Sequence, residues 1–115
     1  MKNREIKFRA WYKEYNEMSA PFNPFEWINE GAREAMTNAD FVQFTGLLDK
    51  NGKEIYEGDI VKWANGKDAV DEVIYSGDRF LLHNLGAPSL AKISIDCEII
   101  GNIYENPELT NWKRP

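Results

Sequence analysis

Hydrophobic and polar residues alternate along most of this chain, and the alternation predicts strands. "EIKFRAWY" places Ile6, Phe8, Ala10 and Tyr12 on one face and Lys7, Arg9 and Trp11 on the other. "KEYNEM" follows as a turn, and Pro21 and Pro24 in "SAPFNPF" argue for loop over sheet interior. A helical period emerges once. Asn23 can cap, Pro24 suits a first helical position, and Glu26 completes a capping box. Ile28, Ala32, Ala35 and Met36 then recur at helical spacing. A short helix is predicted over 24–36, although Gly31 costs it about 1 kcal/mol relative to Ala.

From Phe41 onward the period is two. "FVQFTGLL" predicts a strand, and Asn51-Gly52 predicts a type I′ hairpin turn, which needs positive φ at both central residues. Glu57-Gly58-Asp59 marks a second turn, with Asp59 capping it through its side chain. Beyond it, Val61 and Trp63 are expected inward, with Ile60 and Lys62 on the opposite face. "WANGKDA" supplies a third reversal. "DEVIY", "RFLLH", "AKISIDCEI" and "IGNIYE" supply further short strands. Gly46 and Gly101 lie in or beside strands, where bulges or tight corners are expected. In "YENPELTNW", Asn106 and Pro107 predict a final helical turn, whose Leu109 and Trp112 could cover a barrel end. The pattern is that of a mainly β, small antiparallel barrel-like fold with one inserted short helix, a single domain over residues 1–115.

Three segments together resemble the YopX family of small phage- and prophage-encoded proteins. They are "IKFRAWY" from Ile6 to Tyr12, "QFTGLLDKNGKEIYEGDIV" from Gln43 to Val61, and "EIIGNIYENPEL" from Glu98 to Leu109. The resemblance implies a compact mainly β protein of phage or prophage origin, and it carries no activity, substrate or catalytic residue with it. Phe44 departs from the family pattern, where Tyr is common before Thr-Gly, and residues 13–40 and 64–97 match nothing specific.

Candidate chemistry is sparse. His83 is the sole histidine, and the one pairing open to it as a base is with Cys97, the sole cysteine. A strand-end role for His83 is the plainer reading. Asp96 and Glu98 flank Cys97, and their charges disfavour its thiolate. One cysteine also excludes an internal disulfide and a cysteine-rich zinc site. Asp68, Asp71 and Glu72 could offer oxygens to a hard cation, but solvated turn residues are the plainer reading here and at Asp49, Glu54 and Glu57. No EF-hand, Walker or dinucleotide spacing is present. No catalytic residue, metal or cofactor is assigned, and no small-molecule substrate; the chain is not expected to be an enzyme.

Composition then bears on partners. The 115 residues carry a formal charge of −5, which counts against sequence-independent nucleic-acid binding. Yet Lys2, Arg4, Lys7, Arg9 and Lys13 concentrate positive charge at the start. Aromatic residues reach 13%, with four tryptophans. Lys7, Arg9 and Trp11 on one strand face therefore form a candidate interaction surface. A protein partner or self-association is the leading reading, structural packing the next, and single-stranded nucleic acid the third. Asn51, Gly52, Gly58 and Asp59 are assigned to defining turns. The sequence has no apolar run long enough to cross a bilayer and no signal-peptide pattern, so a bacterial cytoplasmic location is expected.

Overall fold

The computed structural model describes residues 6–23, 39–64, 68–76, 79–83 and 96–113. The predicted helix over 24–36 lies outside them. The protein is mainly β and antiparallel, as expected. Its strands are β1 (Phe8–Tyr12), β2 (Glu17–Met18), β3 (Ala39–Leu48), β4 (Glu54–Tyr56), β5 (Asp59–Ala64), β6 (Asp68–Ser76), β7 (Arg79–Leu82) and β8 (Cys97–Asn102). They form two four-stranded sheets, ordered β2-β1-β3-β4 and β7-β6-β5-β8. By contact the chain divides into two units, Met1–Phe44 and Thr45–Pro115.

The first unit is built on β1. It pairs with β3 from Phe8↔Gln43 to Tyr12↔Ala39, and with β2 through Trp11↔Met18 and Tyr12↔Glu17. The β1–β2 turn is where "KEYNEM" predicts it, and Asn16 closes it at φ 51, a conformation Asn tolerates. The sequence reading missed β2 because two residues give no periodicity. Past it, Ser19 Oγ accepts from Ala10 N at 2.9 Å, and Phe22 bridges Phe8 through two backbone bonds of 2.9 Å. Ala10 and Trp11 are both buried, at 0% and 8% exposure, so both faces of β1 are covered at its centre.

The second unit holds a cluster of Ile55, Val61, Val73, Phe80, Leu82 and Cys97, with Leu47 and Ile99 against it. Register explains the membership: Val61 faces Ile99 across one ladder, and Val73 faces Leu82 across another. The burial parity of β3 changes along its length. Val42 and Phe44 are buried, and then Thr45 and half-buried Leu47, with exposed Gly46 and Leu48 between and after them. Gly46, at φ 87, sits just beyond the change, as expected of a bulge glycine. Thr45 Oγ1 supports the irregular stretch, donating to Ile55 O at 2.8 Å and accepting from Leu47 N at 3.1 Å.

Ile60 and Val61 are both fully buried, which corrects the expectation of an inward Val61 and an outward Ile60. Ile60 shares its face with Gly101 and Glu72, its ladder partners, and that face is covered too. Asn106 packs over Gly101, where an added Cβ would meet the Asn106 Cγ at 2.7 Å. The β5–β8 register shifts between Ile60↔Gly101 and Val61↔Ile99, leaving Ile100 as the extra residue of a bulge on β8. Of "AKISIDCEI", residues 91–95 lie outside the described residues. Its end and the start of "IGNIYE" merge in β8, and Ile103 to Glu105 form a turn.

Candidate interaction surface

Each candidate residue takes its place from the strand that carries it. Lys7 is half-buried, its Nζ 5.0 Å from the centroid of the Phe44 ring, while its carbonyl accepts from Phe44 N at 2.9 Å. Arg9, also half-buried, stands opposite Val42. Trp11 stands opposite Asp40 and Met18, 8% exposed. The basic strand therefore shows two cationic side chains, but the tryptophan beside them is buried and does not present a free ring. Among the described residues of this unit the most exposed aromatic one is Tyr15, at 71%, on the β1–β2 turn. Lys13 pairs with Asp40 at 3.2 Å nearby, with both side chains well exposed. An exposed pair of this kind adds well under about 1 kcal/mol.

Among the described residues of the second unit the exposed large apolar ones are Leu48, Val70 and Tyr75. Tyr75 is 51% exposed and lies edge-on to Phe80, with ring centroids 5.0 Å apart. It shields Phe80, which is buried, and offers its own outer side to solvent.

The two turn sites differ from each other. Gly52 has φ 81, while Asn51 is not among the positive-φ residues, so the turn is not type I′. Asp49 N donates to Lys53 O at 2.8 Å, and Gly52 N donates to Asp49 O at 3.0 Å. The loop is thus three residues long, 50 to 52, closed by a left-handed glycine. At the second site Gly58 has φ 88, and Asp59 Oδ2 accepts from Tyr56 N at 2.8 Å, as predicted. β4 and β5 are not a hairpin, however: the corner passes the chain from one sheet to the other. Gly58 N donates to Val73 O at 2.8 Å and its carbonyl accepts from Ile103 N at 2.9 Å.

Asp49 is the residue whose role the sequence reading missed. It is 5% exposed, and its Oδ1 accepts from Asn51 N at 2.8 Å and Lys53 N at 2.9 Å. Its Oδ2 accepts from Ile99 N on β8 at 3.0 Å, across fifty residues of sequence. Burial pushes this carboxyl's pKa up, but the three main-chain donors and the Lys53 charge outweigh burial and hold it below the ordinary value. An aspartate immediately ahead of Lys-Asn-Gly is itself a turn signal, since its side chain reaches the backbone two residues on. What the sequence conceals is the third donor.

Of the groups considered for catalysis and metal binding, the Asp68 side chain lies outside what the structure describes. His83 is exposed, with its N–H donating to Glu72 O at 2.9 Å. Cys97 is fully buried, and its thiol is pushed up to about 11, first by burial and then by the charges of Asp49 and Asp96. The direction agrees with expectation, with burial as the larger cause. Asp71 and Glu72 are buried neighbours on one strand, so their side chains leave on opposite faces and cannot share a cation. Among the described residues no group of three metal-ligating side chains occurs. No helix among them is long and apolar enough to cross a membrane. The C-terminal 3₁₀ segment, Pro107–Lys113, is broken at Thr110. Asn106 does not cap it with its amide; Asn106 Oδ1 accepts from Asn102 N at 3.2 Å instead.

The YopX protein family model matches residues 7–111. The chain belongs to the YopX family. The match spans the variable stretches between the three recognisable segments, so the YopX assignment covers the β6–β7 region as well as the turns. The YopX chain is also similar in structure to protein EF1440 from Enterococcus faecalis. That crystal structure is 27% identical, with a TM-score of 0.65, covering 93% of this chain and 99% of the other. No curated protein matches it.

Proposed function

We propose that this YopX protein is a non-enzymatic, phage- or prophage-encoded accessory protein that acts in the host cytoplasm through protein–protein contact, self-association included. The observation that carries this reading is the exposure of large aromatic and aliphatic side chains on strands and on a strand-connecting turn: Tyr15 at 71%, Tyr75 at 51% and Leu48 at 48%. Aromatic rings at a surface supply contact area with little entropy to lose, which is why they are enriched at protein interfaces. Nucleic acid ranks below protein as a partner, because stacking needs an open ring beside Lys7 and Arg9 and Trp11 is buried.

Light scattering with a concentration series tests the proposal, using Tyr15→Glu and Tyr75→Glu as variants. Self-association that weakens in one of them, with the fold retained by circular dichroism, is the expected result. A strict monomer that also captures no protein from lysogenic cells would refute the reading. A gel shift with single-stranded DNA that is strong at low salt and lost in Arg9→Glu would replace it with the nucleic-acid reading.

A further inference from the structure

Asn51-Gly52 is the most reactive backbone sequence that the described loops expose. Asn51, Gly52 and Lys53 are all exposed, and the space where a Gly52 Cβ would stand is open to 4 Å. A glycine after asparagine leaves its nitrogen unshielded for attack on the asparagine amide. Two contacts oppose that attack. Gly52 N, the nucleophile, keeps its proton on the Asp49 carbonyl at 3.0 Å, and Asn51 N is fixed on Asp49 Oδ1 at 2.8 Å. The same carboxylate grips Ile99 N at 3.0 Å.

We propose that Asn51 is a site of spontaneous deamidation, held in check by Asp49, and that its modification loosens the grip on β8. In the reaction Gly52 N loses its proton to hydroxide and forms a bond to Asn51 Cγ. The Cγ–Nδ2 bond breaks as water protonates Nδ2 and restores the hydroxide, ammonia leaves, and a cyclic imide remains. Water then adds to one of the two imide carbonyls and opens the ring to aspartate or isoaspartate. Asparagine and water are consumed, ammonia is released, and nothing is oxidised or reduced. Isoaspartate puts an extra methylene into the main chain of the loop, which the Asp49–Lys53 closure cannot absorb, and either product adds a negative charge beside the Asp49 carboxylate.

The experiment is peptide mass spectrometry of the purified protein held at mildly alkaline pH, following the segment that contains Asn51. Asn51→Gln assigns the site by abolishing the mass gain there. The native chain should deamidate at Asn51 several-fold more slowly than the same chain unfolded in urea, where Asn65-Gly66 serves as an internal reference. Folded Asp49→Asn should react several-fold faster than the native protein. Modified protein should also show faster hydrogen exchange over 97–102 than unmodified protein. A native rate equal to the unfolded rate, or a folded Asp49→Asn at the native rate, overturns the protective role. Unchanged exchange over 97–102 after modification overturns the coupling to β8. If Asp49→Asn does not fold, the native-against-urea comparison and the exchange measurement decide the matter alone.

Discussion

Asp49 concentrates three main-chain donors on one buried carboxylate, and removing it leaves all three without their acceptor. Asp49→Ala should cost about 3–5 kcal/mol in urea unfolding, the range for breaking a buried network with a charged acceptor. Asp49→Asn should cost less but well above zero, since its amide nitrogen turns a donor toward one of the donors. The pH dependence follows from the direction of the shift. The folded pKa lies below the ordinary value of about 3.9, so the contribution is fully present above that value and fades as pH falls through the folded one. Urea midpoints should therefore drop in acid below about pH 4, and Asp49→Asn should flatten that limb. Cys97 shifts the opposite way. With its thiol raised to about 11 and fully buried, it should resist alkylation at mildly alkaline pH and react once the chain is unfolded. At this scale the sequence showed charge but not depth: Asp49 and Cys97 look like exposed loop and strand-end residues until the contacts that cover them are known.

Turns were legible as places and illegible as connections. Gly52 and Gly58 both have the positive φ that their neighbours led one to expect. Yet the local signal could not say that one loop holds three residues, nor that the other corner changes sheets, because both depend on partners far along the chain. The same holds for β8, whose bulge at Ile100 is set by β5 and not by its own alternation. Three substitutions separate the causes. Gly52→Ala meets open space and Gly58→Ala meets only ordinary contacts at 3.6 Å, so each should lose about 1–2 kcal/mol from the left-handed backbone alone. Gly101→Ala has no such backbone strain and fails by collision with Asn106, at about 1–3 kcal/mol. Pairing it with Asn106→Gly should restore part of the loss in a double-mutant cycle, whereas the same partner change should do nothing for Gly52→Ala.

For the molecule as a whole, fold class and family were readable because alternation, turn residues and three long segments agree. Surface function was less so. Arg9 and Trp11 lie on β1 as the alternation indicated, with Lys7 just ahead of it, but alternation assumes one face is wet, and at the centre of β1 neither is. The exposed aromatics that bear on association, Tyr15 and Tyr75, stand at a turn and near a strand end, where periodicity carries no information. The fifty-residue reach from Asp49 to Ile99 has a further consequence, during synthesis. On a ribosome adding about 5–20 residues per second, the corner leaves the tunnel roughly 3–10 seconds before its last donor does. Until then one carboxylate oxygen must stay hydrated and the edge destined for β8 stays unfilled. Nascent chains arrested before Ile99 emerges should be cut readily by protease in the β3–β4 hairpin, and those arrested after it should not.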